Sequence, residues 1–396
     1  MVSEEMIQLG TKRSVIREIF EYGNQRAAAI GRENVFDFSI GNPSVPAPPS
    51  VAEALRDIVE NTDPVKLHAY SSAQGHYSVR KAITDYNNRR FGTTLDPDLV
   101  YMTAGAAASL AITFHALACK GDNFITFAPY FTEYKTFVNG AGCALKIVPA
   151  RTEDFQIDFA AFESLIDAHT KGVIINSPNN PSGVVYSEQT IMRLAQTLKK
   201  RSAEYGHTIY LVSDEPYRDL AYGGVEVPCV FRYYDEVIQC YSFSKALSLP
   251  GERIGYIAVS DRAQDAKEIY AAVCGAGRAL GYVCAPTLFQ FLVERCVAER
   301  SDFSVYERNR NLLCSALEEY GFTCAKPDGA FYIFVRSPEA DATAFCERAK
   351  KYELLFVPGD DFGCAGYVRI AYCVSTELIK KALPAFAKLA KEYGLQ

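Results

Sequence analysis

The sequence lacks the features that would direct its chain into a membrane, out of the cell or onto a nucleic acid. No run of about 18 or more apolar residues occurs, which argues against a transmembrane helix. Residues 1–20 contain no apolar core of a secretory signal, so we expect a cytoplasmic protein. The net charge of -6 provides no general attraction to nucleic acid or to an anionic membrane surface.

Closely spaced cysteine pairs are also missing. The 12 cysteines are scattered at irregular intervals, and no C-x-x-C pair occurs among them. Structural metal sites usually need such pairs, so we expect no metal. In a chain without a secretory signal, scattered cysteines usually pack as small hydrophobic side chains in a reducing cytosol.

Length and hydrophobic pattern together predict the fold class. A chain of 396 residues favours two domains. Short apolar, β-rich runs alternate with helical patterns, which predicts an α/β fold with a mostly parallel sheet and helices on both faces. The runs VIQCYSF and RIGYIAV are too close for a helical crossover, so we expect one antiparallel strand.

A smaller α+β domain is expected to follow this sheet. We divide the chain into a large domain over 49–288 and a small C-terminal domain over 289–396. Residues 1–48 form an N-terminal segment that we expect to join the small domain.

Polar or glycine-rich residues follow four of the predicted strands. The segments are TAGAAAS at 103–109, NSPNNPSG at 176–183, SDEPYRD at 213–219 and SFSKALSLPGERIG at 242–255. Ligands of open α/β sheets bind at the carboxyl ends of the strands. The sequence therefore predicts a ligand site where these four segments meet.

Lys245 stands between a predicted strand and a Pro-Gly turn, with Ser242, Ser244 and Arg253 nearby. Taken alone, the segment fits a solvated loop lysine. That interpretation is the more common one for such a segment, but a Schiff-base nucleophile beside a phosphate site also fits, because two hydroxyls and a guanidinium are good donors to a dianion. These residues by themselves leave both interpretations open.

The spacing around Lys245 resembles the lysine motif of the class I/II (fold type I) aminotransferases, S-x-S-K-x-x-x-x-x-G-x-R-x-G. Further matches occur in order from Gly41 to Arg369, and they are similar to those of aspartate aminotransferases. The resemblance implies that Lys245 holds pyridoxal 5'-phosphate as a Schiff base. It also implies that Ser242, Ser244 and Arg253 bind the phosphate.

The same resemblance assigns the other cofactor contacts. Asp214 would pair with the protonated pyridine nitrogen, with Pro216 packed under the ring, and such a pair makes the ring a better electron sink. Tyr217 and Asn180 would bond the phenolic oxygen of the ring, and Phe131 would stack on its face. The backbone of a small-residue turn at a helix N-terminus would bind the phosphate, and its residues are Gly105, Ala106 and Ala107.

Substrate and partner contacts follow from the same resemblance. Arg369 would grip the substrate α-carboxylate with two hydrogen bonds. Gly41 would close over the substrate, with Asn180 beside it. Tyr70 would reach the phosphate of the neighbouring subunit, which implies a homodimer with shared active sites. For Arg278 we hypothesise binding of an acidic substrate side chain, against the alternative of an ordinary solvent or interface arginine.

The implied activity is transfer of the amino group of an L-amino acid to a 2-oxo acid. Aspartate and 2-oxoglutarate are the default pair. Lys245 would carry the proton from Cα, and burial together with Arg253 should lower its pKa. One alternative keeps the cofactor but makes the chain a carbon–sulfur β-lyase. Another is a non-enzymatic ligand sensor, although the sequence has no basic helix-turn-helix segment or extra length for DNA binding.

Overall fold

Most of the short apolar runs of the sequence are strands. They belong to three sheets in a computed structural model that describes residues 2–11 and 15–395. The strands are β1 (Phe36–Asp37), β2 (Val100–Thr103), β3 (Asn123–Phe127), β4 (Ala144–Val148), β5 (Thr170–Asn176), β6 (Tyr210–Asp214), β7 (Val237–Ser242), β8 (Gly255–Val259), β9 (Cys324–Ala325), β10 (Tyr332–Arg336), β11 (Leu354–Leu355), β12 (Val357–Pro358) and β13 (Tyr367–Ala371).

The largest sheet has seven strands in the order β2-β8-β7-β6-β5-β3-β4. Strands β3 to β7 pair in parallel. Strand β8 runs antiparallel to both of its neighbours, β2 and β7. The predicted α/β class with a mostly parallel sheet is confirmed, and so is the expected antiparallel strand. Its cause is the short link between β7 and β8, which leaves no room for a crossover helix.

Helices cover both faces of this sheet and surround the smaller ones. They are α1 (Glu4–Thr11), α2 (Val15–Ile30), α3 (Pro49–Asn61), α4 (Pro64–His68), α5 (Tyr77–Phe91), α6 (Ala106–Leu117), α7 (Glu133–Gly140), α8 (Phe159–Leu165), α9 (Glu188–Tyr205), α10 (Phe243–Ala246), α11 (Ala266–Ala279), α12 (Thr287–Cys296), α13 (Ser304–Glu319), α14 (Ala342–Ala349) and α15 (Thr376–Glu392).

The helix ends follow the chemistry of their residues. Helix α3 begins at Pro49, because proline lacks only an N–H that the first turn cannot use. The side chain of Ser187 accepts a hydrogen bond from the backbone of Thr190 and so caps α9, which Gly206 ends with a φ of 70°. Helix α6 is apolar on most of its surface because it packs against α7 and α11 as well as the sheet.

Alternate residues of the central strands enter two different hydrophobic cores. In β5, Val173 and Ile175 belong to the core on one face of the sheet, whereas Ile174 belongs to the core on the other. Strands β3, β7 and β8 are buried along their whole length. A sheet buried on both faces favours apolar side chains at successive positions, which explains why these strands are predominantly apolar.

The second assembly is an antiparallel sheet in the order β12-β13-β10-β9, with α13, α14 and α15 around a core of its own. Strand β1, from the N-terminal segment, pairs in parallel with β11. Helix α12 packs against α3 and α5 of the large assembly. The domain limits at 48/49 and 288/289 stay predictions.

A buried ion pair lies just beyond the carboxyl end of β6. Glu215 accepts hydrogen bonds from Arg218 Nε, Gln239 Nε2 (2.5 Å) and Ser213 Oγ (2.7 Å). Both charged side chains are almost fully shielded from solvent, at 3% exposure for Arg218 and 2% for Glu215. Removing one partner would therefore leave an uncompensated charge inside the protein.

We predict that Arg218→Met lowers the free energy of unfolding by about 3–5 kcal/mol, because Glu215 loses its cation. Urea unfolding of the full chain measures this loss. The matched control is Lys81→Ala, which breaks the half-exposed Lys81–Asp85 pair and should change stability by less than about 0.5 kcal/mol. Equal effects of the two substitutions would contradict the assignment.

Candidate active site

The predicted segments surround one cavity of about 330 Å³ at the carboxyl ends of β5, β6 and β7 and at the start of α6. The cavity brings together most of the residues that the sequence singled out. Those that line it are Gly41, Ala106, Ala107, Phe131, Asn180, Asp214, Pro216, Tyr217, Ser242, Ser244, Lys245, Arg253 and Arg369. Residues to which the sequence had assigned no role complete the wall: Ile16, Ile40, Leu110, Asn176, Pro250 and Tyr332.

Lys245 lies in the short helix α10, directly after β7. Its Nζ donates a hydrogen bond to the carbonyl oxygen of Gly41 at 2.7 Å and lies 5.3 Å from the centre of the Phe331 ring. Burial lowers the pKa of Lys245 to about 8. Cys373 opposes this shift, and the positive charges of Arg253 and Arg369 each add a smaller lowering effect. The amine therefore loses its proton far more readily than an exposed lysine does.

Hydrogen-bond donors for an anion converge at one end of the cavity. The hydroxyls of Ser242 and Ser244 lie 2.7 Å apart, and Arg253 Nη1 donates to Ser244 Oγ at 3.4 Å. Helix α6 begins at Ala106, so its free N–H groups face the same region. Gly105 precedes it with a φ of 89°, and a Cβ there would lie 2.6 Å from Arg253 Nη2. Such donors, packed this closely, fit a phosphate group.

Asp214, the last residue of β6, offers one oxygen to the cavity. Its Oδ2 accepts hydrogen bonds from Tyr134 OH at 2.6 Å and from Asn176 Nδ2 at 3.4 Å. Its Oδ1 is buried without a hydrogen-bond partner among the described residues. Burial raises the pKa of Asp214 to about 7, against the lowering effect of the Tyr134 hydrogen bond. A buried carboxylate oxygen of this kind fits a protonated ring nitrogen.

Arg369 is buried, and its exposed fraction is only 2%. Its Nη1 donates to Asn180 Oδ1 at 3.0 Å and its Nη2 to the carbonyl oxygen of Ser39 at 2.5 Å. The guanidinium carbon lies 4.7 Å from the centre of the Tyr332 ring. Burial lowers the pKa of Arg369. These contacts are with neutral groups, so its positive charge suits an incoming carboxylate.

Tyr217 is held by a residue from the other assembly. Its hydroxyl lies 2.9 Å from the hydroxyl of Tyr332, which belongs to β10. Burial raises the pKa of Tyr217 well above 10, so its hydroxyl keeps its proton at neutral pH. A Cβ at Gly41 would lie 1.9 Å from the Tyr332 hydroxyl, which explains the glycine at that position.

Gly105 does not line the cavity but directly precedes Ala106, which does. Two other predicted residues lie outside this cavity. Tyr70 has an exposed fraction of 90%, and Arg278 is exposed in the last turn of α11. Their predicted roles concern the active site of a second subunit, and these roles stay predictions. In the described part of the chain there is no cluster of three or more potential metal ligands. None of the described helices is long and apolar enough to cross a membrane.

Sequence reasoning missed three polar residues around the cavity. Asn176 opens the NSPNNPSG segment and donates to the backbone oxygen of Asp214 at 2.9 Å. Its place at the end of β5 was an available signal. Tyr134 follows Phe131 by three residues, a spacing that places both on one face of a helical turn. For Tyr332 no local signal existed, because its partner Tyr217 is 115 residues away.

Comparisons with known proteins agree with this arrangement. The family model described as "Aminotransferase class I and II" matches residues 33–386. An aspartate aminotransferase of Thermotoga maritima is 30% identical over 359 residues, covering 89% of this chain and 90% of that protein. An aromatic-amino-acid aminotransferase of Thermococcus litoralis is 27% identical over 399 residues, covering 96% of this chain and 97% of that protein.

Solved structures give the same result. The crystal structure of an amino transferase from Eubacterium rectale is 56% identical in sequence, with a TM-score of 0.98 and coverage of 99% of both chains. The structure of an aspartate aminotransferase from Thermus thermophilus with maleate is 26% identical, with a TM-score of 0.86, and covers 98% of this chain and 100% of that one.

We predict that the Lys245 amine reacts at a lower pH than ordinary lysines do. In the cofactor-free protein, acylation of Lys245 should reach half its maximal rate near pH 8, because burial disfavours the charged ammonium. Peptide mass spectrometry after brief labelling at a series of pH values measures the rate at this residue. A midpoint near the ordinary lysine pKa of about 10.4 would refute the prediction.

Proposed function

The chain belongs to the class I and II aminotransferases, and we propose that it uses pyridoxal 5'-phosphate at Lys245 to move the amino group of an L-amino acid to a 2-oxo acid. One observation carries the proposal. A lysine amine with a lowered pKa, a buried carboxylate with a free oxygen and a buried arginine line the same cavity. A non-enzymatic ligand sensor is not supported, because the family is one of enzymes.

The cavity fits the cofactor at both of its ends. Ser242, Ser244, Arg253 and the start of α6 would hold the phosphate. Asp214 Oδ1 would accept the N–H of the ring, while Phe131 and Pro216 would pack against the ring faces. When bound, pyridoxal phosphate supplies an aldehyde that condenses with amines and a ring that accepts the electrons released at Cα.

Lys245 is the residue that moves the proton. Its Nζ, when neutral, would take the proton from the substrate Cα and would give it up at a different carbon, C4' of the cofactor. The pKa of about 8 means that an appreciable share of this amine is neutral near pH 7. The hydrogen bond from Nζ to the carbonyl of Gly41 places the amine beside the residue that we expect to close over the substrate.

Arg369 would orient the substrate for this proton transfer. Asn180 and the Ser39 carbonyl fix the guanidinium, while its Nε is buried without a hydrogen-bond partner among the described residues. A substrate carboxylate would neutralise this buried charge. Tyr332 lies under the guanidinium and beside Tyr217, so it links the carboxylate end of the cavity to the ring end.

For the substrate pair we propose aspartate and 2-oxoglutarate. Relatives of about 30% identity support this choice by their names, which include aspartate, aspartate/prephenate and aromatic-amino-acid aminotransferases. We also propose a cytoplasmic homodimer with shared active sites. In this dimer, Tyr70 would contact the neighbouring phosphate and Arg278 would bind the distal carboxylate of the substrate.

We predict that the purified protein with pyridoxal phosphate has a visible absorption band, which aspartate bleaches and 2-oxoglutarate restores. Lys245→Ala should lack the band and lose at least about 100- to 10,000-fold in rate, because the proton carrier is gone. Absorption spectra and an assay of the 2-oxo acid product measure both effects. An unchanged band in the variant would refute the role of Lys245.

Release of pyruvate and ammonia from cystathionine without an acceptor would instead identify a β-lyase.

We predict that Arg278→Ala lowers kcat/KM for aspartate by about 10-fold or more relative to alanine, since only aspartate has a distal carboxylate. Steady-state kinetics with both amino acids measure the ratio. Arg262→Ala, which removes a half-exposed arginine that pairs with Asp235 and does not line the cavity, serves as the control. Equal losses for aspartate and alanine would show that Arg278 does not bind the side chain.

A further inference from the structure

The hydroxyl of Tyr134 donates a hydrogen bond to the carboxylate of Asp214, and Tyr134 is not among the residues that line the cavity. We propose that Tyr134 is a positioning residue that holds Oδ2 of Asp214 and thereby leaves Oδ1 for the ring nitrogen of the cofactor. This inference rests on the proposed function, since it concerns the same site. It adds a residue to which none of the sequence motifs assigned a role.

The geometry around the carboxylate carries the inference. Tyr134 lies in α7, is 1% exposed and donates its hydroxyl to Asp214 Oδ2 at 2.6 Å. Asn176 Nδ2 approaches the same oxygen at 3.4 Å and donates to the Asp214 backbone oxygen at 2.9 Å. The hydrogen bonds that the described residues make to the carboxylate thus fall on one oxygen, while Oδ1 has no hydrogen-bond partner among them. Rotation of the carboxylate would break the short bond to Tyr134.

The ring of Tyr134 is itself fixed by neighbouring aromatic side chains. It meets Phe131 edge-on, with ring centres 5.6 Å apart and planes at 84°, and it stacks on Tyr130 at 6.5 Å and 20°. Phe131 lines the cavity, whereas Tyr134 lies behind it. The same turn of chain therefore supplies the expected stacking partner of the ring and the donor to Asp214.

The hydrogen bond from Tyr134 also affects the pKa of Asp214. Burial raises the pKa of Asp214 to about 7, the Tyr134 hydroxyl opposes that rise, and the charge of Glu215 adds to it. Burial, followed by the nearby Asp214 charge, raises the pKa of Tyr134 well above 10, so this hydroxyl stays a donor across neutral pH. Besides Asn176, which is neutral, the other groups that face Asp214 are Tyr217 from the following loop and Cys240 from β7.

A purely structural role for Tyr134 makes a different prediction. A buried tyrosine that only satisfies its own hydroxyl would affect stability and leave the titration of Asp214 unchanged. A positioning residue acts on the carboxylate, so its loss must change the pH at which Asp214 takes up a proton. Tyr134→Phe keeps the ring contacts and removes only the donor, and it therefore separates the two roles.

The experiment compares Tyr134→Phe with Tyr130→Phe, which removes a hydroxyl from the stacked neighbour and leaves the donor to Asp214 in place. In the cofactor-free full chain, infrared spectroscopy follows the carboxyl stretch of Asp214, identified by its absence in Asp214→Asn. Absorbance titration then measures the dissociation constant of pyridoxal phosphate. We expect Tyr134→Phe to raise the Asp214 midpoint by about one pH unit or more and to weaken cofactor binding about 10-fold or more. Tyr130→Phe should change neither quantity.

The outcomes separate this inference from the proposed function. If wild type binds pyridoxal phosphate and transaminates but Tyr134→Phe has the wild-type midpoint and dissociation constant, Tyr134 has no positioning role. A change in unfolding midpoint alone would also overturn the inference. If wild type does not bind pyridoxal phosphate at all, the proposed function fails, and the inference about the cofactor nitrogen fails with it. Only in the first two cases does the proposed function survive the loss of the inference.

Discussion

A carboxylate removed from water must be compensated by hydrogen bonds or by a cation, and the cavity is arranged around such a group at Asp214. The parallel sheet places Asp214 at a carboxyl strand end, beside Asn176 on the neighbouring strand β5. Tyr134 and Asn176 together satisfy only one of its two oxygens. The oxygen without a partner suits a cationic group, and a protonated ring nitrogen of the proposed cofactor would be such a group.

Removal from water also disfavours the charged forms of the two basic side chains of the cavity, Lys245 and Arg369. Burial lowers the pKa of both Lys245 and Arg369. For a lysine the effect yields a neutral amine that can carry a proton, because its pKa falls close to neutrality. For an arginine the charge persists, since guanidinium does not lose its proton in proteins. One buried cation is thereby suited to proton transfer and the other to binding a carboxylate.

Two assemblies are needed to complete this arrangement. The large sheet supplies Asp214 and Lys245 from adjacent strand ends, whereas the small antiparallel sheet supplies Arg369 and Tyr332 from paired strands. Gly41 comes from the N-terminal segment, and its carbonyl oxygen accepts a hydrogen bond from the amine of Lys245. The carboxylate end and the ring end of the cavity therefore belong to different parts of the chain, and contact between those parts brings them together.

Local sequence was sufficient for the central sheet and for most of the cavity. Continuous apolar runs such as GVIIN predict buried parallel strands, and the motif spacing around Lys245 predicts residues that line one cavity. Short strands such as β1 and β11 could not be predicted in the same way. Each has two residues, and their stability comes from pairing across the fold rather than from a local pattern.

What the sequence by itself determined is the chemistry: a lysine and an aspartate at characteristic strand ends, an arginine within a strand, and the family to which they belong. What only the tertiary structure decided is how these groups are held. Tyr134 and Tyr332 are ordinary aromatic residues in a linear reading, and they become polar partners of Asp214 and Tyr217 only after folding. Hydrogen bonds between residues distant in the chain depend on the packing of whole elements, which local patterns do not encode.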